Sequence, residues 1–186
     1  MNSKQIKGLA VISIADGEKL GTVDQVFLDP AQKQVVGFAV RHGGGLMAPD
    51  SAAPELVDVD DVHALGHDAV TLADKGAVRG DQTRAQLDQL MEIDELTKLK
   101  AVTEGGTAVG QVASVDFDDH TFRLEQVEVS PGFFKSNKHV PIGQVVSIGR
   151  DLIVVHDAVC APEPDTTEAD TGERRFVVGD VATSDR

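Results

Sequence analysis

The sequence has no Trp and no Tyr, and its aromatic residues, all of them Phe, make up 4% of the 186 residues. Its single cysteine, Cys160, excludes an intramolecular disulfide framework and a zinc site built from several cysteines. The longest apolar stretch, residues 35–40, is far too short for a membrane-spanning helix. The N-terminal residues contain no convincing signal-peptide core or cleavage site. These absences predict a soluble, cytoplasmic protein that does not insert into membranes.

Acidic residues dominate the charge of the chain. It has 31 acidic and 17 basic residues and a formal net charge of −14, while 41% of its residues are hydrophobic, enough to build a core. Direct nucleic-acid binding is disfavoured, because affinity for phosphates comes from clustered Lys and Arg. The same charge attracts basic protein surfaces. We therefore expect protein partners, including basic ones, and no direct contact with nucleic acid.

The chain contains an internal repeat. Two gapless blocks match, the first at an offset of 89 positions and the second at an offset of 83, so that the loop between them is six residues longer in the first copy. The first block pairs Gly17, Gly21, Val23, Val26, Leu28 and Asp29 with Gly106, Gly110, Val112, Val115, Phe117 and Asp118. The second pairs residues 57–72 with residues 140–155. Such blocks indicate a tandem duplication.

Both copies have the apolar periodicity of strands. The turn at Asp16 and Gly17 follows a short apolar run and is typical of a β-hairpin. The apolar positions Val23, Val26 and Leu28 then depart by one residue from strict alternation, and the second copy departs at the same place. A β-bulge explains this shared shift, since it bends a strand and inserts one residue. Two bent strands per copy predict a small closed barrel.

The pattern changes between the copies and at the end of the chain. Helical spacing of apolar residues over residues 83–96 predicts a short helix, so we divide the chain into a first barrel (1–78), a linker helix (79–97), a second barrel (98–158) and an acidic flexible tail (159–186). Within the tail, Phe176, Val177 and Val178 either dock as a short strand or remain part of a disordered segment, and the second interpretation is favoured.

The opening of the first copy, G-L-A-V-I-S-I-A-D-G-E-K-L-G followed by T-V-D-Q-V-F-L-D-P, resembles the opening hairpin of a PRC-barrel domain. Residues 99–118 resemble the same opening, and residues 140–155 resemble the closing strands of the family. The resemblance implies an all-β protein of two tandem small PRC-type β-barrels. Related barrels form the cytoplasmic part of the photosynthetic reaction-centre H subunit and the C-terminal half of a ribosome maturation factor. The resemblance also implies contact with partner proteins. No catalytic residues define this family.

Residue types capable of chemistry all have simpler structural explanations. At the turn residues Asp16, Gly17 and Gly21, glycine can adopt a positive φ, and the Asp side chain can form a hydrogen bond with the backbone of its own turn. A solvated turn likewise accounts for the acidic cluster Asp116, Asp118, Asp119 and His120, which lacks the ligand spacing of a calcium loop. The pairs His63/His67 and His156/Cys160 are four residues apart, but neither lies on a predicted helix. We therefore predict no enzyme, no cofactor and no metal.

The best candidate for a functional site is the loop over residues 130–140. The adjacent Phe133 and Phe134 cannot both point inward from one extended strand, which predicts an exposed aromatic beside Lys135, Lys138 and His139. Alternatively, the loop covers a barrel mouth and buries both rings. The sequence does not choose between these two arrangements.

These features predict a non-enzymatic protein-interaction, assembly or regulatory module. The alternative is an accessory factor in RNA metabolism or ribosome assembly that acts through a basic protein partner, and an enzyme or metal binder ranks last. An open strand edge would allow self-association. The two copies could instead pair with each other as an intramolecular pseudo-dimer.

Overall fold

The computed structural model describes residues 1–42, 55–79, 90–132 and 136–160, and it consists mainly of two β-sheets. The only α-helices in the described ranges are two single turns, α1 (Ser3–Ile6) and α2 (Ile93–Leu96). Neither of these helices has the length to cross a membrane. The two sheets form two tandem barrel-like domains, as the sequence predicts.

The first repeat contributes six strands to one sheet. Their bounds are β1 (Ala10–Ser13), β2 (Glu18–Asp29), β3 (Gln34–Arg41), β4 (Glu55–Asp58), β5 (Val62–Leu65) and β6 (Ala69–Leu72). The spatial order is β4-β3-β2-β1-β6-β5. All neighbours are antiparallel except β1 and β6, which are parallel. We call this domain barrel 1.

The second repeat builds the same arrangement. After the short strand β7 (Met91–Glu92), its strands are β8 (Lys100–Thr103), β9 (Ala108–Phe117), β10 (Leu124–Ser130), β11 (Lys138–Pro141), β12 (Val145–Ile148) and β13 (Leu152–Val155). The spatial order is β11-β10-β9-β8-β13-β12, with β8 and β13 parallel. This domain, barrel 2, repeats barrel 1 strand for strand, which confirms the predicted duplication.

The predicted bulges are present in both long hairpins. The register between β2 and β3 shifts between Val23 and Gln25, and that between β9 and β10 shifts between Val112 and Ser114. Because a bulge bends its strand, both barrels curve at equivalent positions.

The glycine explanation holds at Gly17 but is wrong at Gly21. Gly17 has a φ of +63°, as the turn requires. Gly21 has no positive φ, and a Cβ there would lie 2.5 Å from the carbonyl oxygen of Arg41 on the neighbouring strand. Close approach of two backbones, which spacing alone does not reveal, therefore requires glycine at this position.

The N-terminal segments of the two repeats are exchanged between the barrels. Strand β7 pairs with β2 of barrel 1, with Met91 opposite Leu28. Met1 occupies the matching position on barrel 2, where it accepts a hydrogen bond of 3.0 Å from Phe117 N and donates one of 2.6 Å to Phe117 O. Each repeat therefore lays its first residues on the long strand of the other.

This exchange changes part of the predicted linker helix. Residues 80–89 lie outside the described part of the chain, and Ile93–Leu96 are helical as predicted. Met91 and Glu92, which the spacing placed in the same helix, instead form β7. The prediction is wrong for these two residues because the backbone of β2 offers them sheet hydrogen bonds that a local pattern cannot show.

A second contact joins the barrels at their centre. Gln34 and Arg123, which are equivalent residues of the two repeats, form an antiparallel bridge. Val35 N donates to Phe122 O (2.8 Å), and Leu124 N donates to Lys33 O (2.9 Å), as expected for a twofold pseudosymmetry axis at this point. The two copies thus form an intramolecular pseudo-dimer.

The hydrophobic core extends across this contact. Buried residues of both barrels belong to one continuous cluster. At the join, the ring of Phe38 from barrel 1 packs edge-to-face against Phe122 from barrel 2, with 6.1 Å between the ring centroids and 63° between the planes. Such aromatic pairs contribute about 1 kcal/mol beyond their buried area. The barrels are therefore held together by apolar packing as well as by backbone hydrogen bonds.

Candidate functional site

Two of the five predicted contact residues lie at the start of an edge strand. Lys138 and His139 are the first residues of β11, and both are exposed. The ammonium group of Lys138 donates a hydrogen bond of 3.2 Å to Val159 O, close to the end of the described chain. Phe133, Phe134 and Lys135 lie outside the described residues, so the orientation of the two rings remains a prediction.

The outer edge of β11 corresponds to the outer edge of β4 in barrel 1. In barrel 1, the outer edge of β4 is covered by a return of the chain: Leu56 N donates to Arg79 O (2.9 Å), and Arg79 N donates to Leu56 O (2.8 Å). His139 occupies the position of Leu56 in the second repeat. Within the ranges that the structure describes, β11 pairs only with β10.

A carboxylate lies directly beside this edge. Glu128 of β10 is the register partner of His139. It accepts hydrogen bonds from Asn137 Nδ2 (2.7 Å) and from the Ser114 hydroxyl. The bond from Ser114 is the largest cause of a lowered pKa of Glu128, the bond from Asn137 is the next, and the charges of Lys4 and His139 add to them. Glu128 therefore remains ionised at neutral pH.

The exchanged N-terminal segment holds Ser114 in place. The side-chain amide of Asn2 donates to Ser114 Oγ (3.3 Å) and to Asp116 Oδ1 (2.6 Å). The pseudosymmetric contact in barrel 1 joins Gln25 Nε2 to Glu92 Oε1 at 3.1 Å. The network beside β11 therefore begins in residues contributed by the other repeat.

A search with protein-family models finds the PRC-barrel domain twice, over residues 1–78 and 88–158. The chain belongs to the PRC-barrel family. A comparison with curated proteins found no match. The second PRC-barrel match begins before β7, so it includes the exchanged segment as part of the second domain.

In the acidic turn of the second PRC barrel, the carboxylate of Asp118 accepts hydrogen bonds from other residues of the same turn. Asp118 Oδ1 accepts hydrogen bonds from His120 N (3.1 Å), Thr121 N (2.6 Å) and Thr121 Oγ1 (2.8 Å). The bond from the Thr121 backbone is the main cause of its lowered pKa. This is the geometry of an Asx turn, which supports the structural interpretation of the cluster.

The other candidates for chemistry are dispersed over the two PRC barrels. Across the described ranges, no three His, Cys, Asp or Glu side chains are grouped closely enough to hold a metal ion. His156 Nδ1 lies 2.8 Å from Glu104 Oε2, and Cys160 is exposed in a 3₁₀ turn (Asp157–Cys160). His63 is an exposed residue of β5.

One open depression lies on the first PRC barrel and is lined by Asp60, Asp61 and Asp74, among others. Two of these carboxylates have protein partners. Asp61 Oδ2 accepts from Arg79 Nη2 (2.6 Å), and Asp74 Oδ1 accepts from Gly76 N (2.7 Å). These contacts stabilise the segment that leads back to β4 and ends at Arg79, so the two carboxylates have a structural explanation.

Sequence reasoning missed Asn2 and Arg79. A signal for Asn2 existed, since residues 1–9 match residues 91–99 at an offset of 90, with Met1, Ile6 and Leu9 opposite Met91, Leu96 and Leu99. No local pattern marked Arg79, because its contact with Leu56 depends on backbone groups only.

Proposed function

We propose that this protein is a non-enzymatic assembly module of the cytoplasm that binds an extended segment of a partner protein along the outer edge of β11. PRC-barrel domains are generally protein-interaction or assembly modules. The observation that carries the proposal is the position of β11 at the end of the strand order of barrel 2, where its first residues, Lys138 and His139, are exposed beside the carboxylate of Glu128.

The edge of a strand can bind an extended segment because its outward backbone groups form hydrogen bonds with an added strand. Leu56 directs its N–H and C=O away from the sheet towards Arg79, and by the repeat His139 presents the same two groups on β11. An added strand satisfies both groups, and side chains beside the edge provide specificity. Here those side chains are Lys138, His139 and the ionised Glu128.

Charge favours particular partners. The formal net charge of −14 steers basic protein surfaces towards the chain and opposes direct binding of phosphate backbones. If the partner is a ribosomal or RNA-processing protein, the same edge would serve the alternative role of an accessory factor in RNA metabolism or ribosome assembly. The identity of the captured partner distinguishes the two roles.

The experiment separates the backbone of the edge from its side chain. The full-length chain is compared with His139→Pro, which removes the outward N–H and is compatible with an edge strand, and with His139→Ala, which keeps that N–H. We expect partner proteins from a lysate of the source organism to be captured by the wild type and His139→Ala but lost by His139→Pro.

Two further measurements make this result decisive. A circular-dichroism melt must show that His139→Pro remains folded, and binding of the captured partner must be reproduced with purified proteins. Retention of the partner by a folded His139→Pro would show that it does not bind along this edge.

A further inference from the structure

We infer that Asn2 positions the start of β11 through a chain of side-chain hydrogen bonds, so that the contact between the two barrels regulates the edge at which a partner binds. The regulation of binding rests on the proposed function. The positioning itself concerns side chains within one protein chain and is testable without any partner.

The chain of hydrogen bonds runs from the first repeat into the second. Asn2 Nδ2 donates to Ser114 Oγ (3.3 Å), and the Ser114 hydroxyl donates to Glu128 Oε2. The other oxygen of that carboxylate, Oε1, accepts from Asn137 Nδ2 (2.7 Å). Asn137 directly precedes β11. The first residues of the chain are therefore connected to the start of this edge strand through consecutive hydrogen bonds.

The donors and acceptors of this chain are matched at every step. The Asn2 amide has a fixed orientation, because its Oδ1 accepts from Lys4 N (3.0 Å) and leaves Nδ2 as the donor to Ser114. The Ser114 hydroxyl has one proton, which it donates to Glu128, so its oxygen can accept from Asn2. Hydrogen bonds in such chains polarise and strengthen one another. A change at Asn2 therefore alters how strongly Ser114 holds Glu128.

The carboxylate of Glu128 contacts the start of β11 on two sides. It accepts the hydrogen bond from Asn137, and its residue is the register partner of His139. The bonds from Ser114 and Asn137 lower the pKa of Glu128, and the charges of Lys4 and His139 act in the same direction. The position of one side chain therefore affects both the residue before β11 and the second residue within it.

Barrel 1 lacks this connection. At the offset of 89 that relates the long hairpins, Ser114 corresponds to Gln25 and Glu128 corresponds to Ala39. Gln25 Nε2 donates to Glu92 Oε1 of the exchanged segment (3.1 Å), but the methyl group of Ala39 cannot accept a hydrogen bond. The equivalent contact between the repeats therefore ends at β2 and does not reach β4. The connection is specific to the barrel whose edge we propose as the binding surface.

The positioning is tested by NMR on the full-length protein, in which the signals of the Asn137 side-chain amide are followed as the pH is lowered. The midpoint of their shift reports the pKa of Glu128, which we expect to lie below 4.5 in the wild type. The midpoint should rise towards 4.5 in Ser114→Ala, and by a smaller amount in Asn2→Leu. Asn2 is only partly buried, so Asn2→Leu keeps the test decisive if the buried Ser114 does not tolerate alanine.

The matched control is Gln5→Ala. The Gln5 side chain accepts from Asn2 N in the same helical turn but takes no part in the bond to Ser114, so this variant should keep the wild-type midpoint. The regulation is then tested with the purified partner from the capture experiment. We expect Ser114→Ala to bind it about fivefold more weakly or worse, and Gln5→Ala to bind it as the wild type does.

Two results would overturn the inference. A wild-type midpoint in a folded Asn2→Leu would show that the exchanged segment does not position the start of β11. Unchanged affinity of a folded Ser114→Ala for the purified partner would show that the hydrogen-bond chain does not regulate binding. Neither result affects the comparison of His139→Pro with His139→Ala, so the proposed function and this inference fail separately.

Discussion

Gln34 and Arg123 occupy the same position in the two repeats, and they pair with each other across the axis that relates those repeats. The hydrogen bonds on either side of this bridge are reciprocal, so the backbone alone defines a twofold relationship inside one chain. A single chain therefore achieves what two identical subunits achieve in a twofold dimer, in which the same surface serves both partners.

The ring of Phe122 should be important for joining the barrels. It is 7% exposed, it packs on Phe38, and it has a φ of +58°. We expect Phe122→Ala to lower the free energy of unfolding by about 3 kcal/mol through loss of packing. Phe122→Gly should be less harmful by roughly 1 kcal/mol, because glycine accepts this φ. Urea denaturation measures both. A Gly variant less stable than the Ala variant would contradict the role of backbone strain.

The glycine at position 110 should not tolerate a side chain. A Cβ there would lie 2.2 Å from Ser130 O, and the residue has a φ of +154°. We expect Gly110→Ala to destabilise the protein by about 3 kcal/mol in thermal or urea unfolding. Gly143 is the matched control, since nothing lies within 4 Å of a Cβ built on it. Equal stability of the two alanine variants would contradict the close approach of β9 and β10.

The hydroxyl of Ser3 should stabilise the exchanged segment. Val115 N donates to Ser3 Oγ at 3.1 Å, and the bond is buried. Replacing Ser3 with Ala leaves that N–H without its partner, which costs about 1–2 kcal/mol. Ser147→Ala is the control because Ser147 is exposed. The free energies of unfolding of the two variants in urea should differ by this amount. If both match the wild type, the hydrogen bond between the exchanged N-terminal segment and barrel 2 contributes little to stability.

Acid should weaken the network beside β11. The pKa of Glu128 is lowered in the folded state, chiefly by the Ser114 hydroxyl. The stabilisation is therefore complete above the unfolded pKa, near 4.5, and is lost as the pH falls from that value through the folded pKa. Glu128→Gln should lose less stability than the wild type between about pH 5 and pH 3. Glu125→Gln is the charge-matched control. Unfolding curves at several pH values test this, and identical slopes for wild type and Glu128→Gln would refute it.

The aromatic pair before β11 should contribute to partner binding. Phe133→Ser combined with Phe134→Ser should remain folded in a circular-dichroism melt and lose the captured partner, because an exposed aromatic is a typical anchor at interfaces. Loss of folding would instead assign the two rings to the core. Full retention of the partner by a folded variant would remove them from the site.

The sequence was most informative where both copies carry the same irregularity. The shift in apolar alternation at Val23, repeated at Val112, predicted a β-bulge in each long hairpin. The strand register of both hairpins shifts at these positions, which confirms the prediction. Contacts between copies were harder to predict. The helical spacing around Met91 is a local pattern, but the strand that Met91 joins belongs to the other repeat. The sequence predicted Lys138 and His139 as contact residues but did not predict the strand edge on which they lie, since backbone groups have no signature in the sequence.

Fusing two copies into one chain removes a constraint that identical subunits cannot escape. In a symmetric dimer, a residue on the twofold axis faces its own copy, so an arginine at the bridge would face another arginine. Here Arg123 faces Gln34, and the positive-φ position that holds Lys33 in one half holds Phe122 in the other. The two halves can therefore carry different residues at positions that the two subunits of a symmetric dimer would have to share.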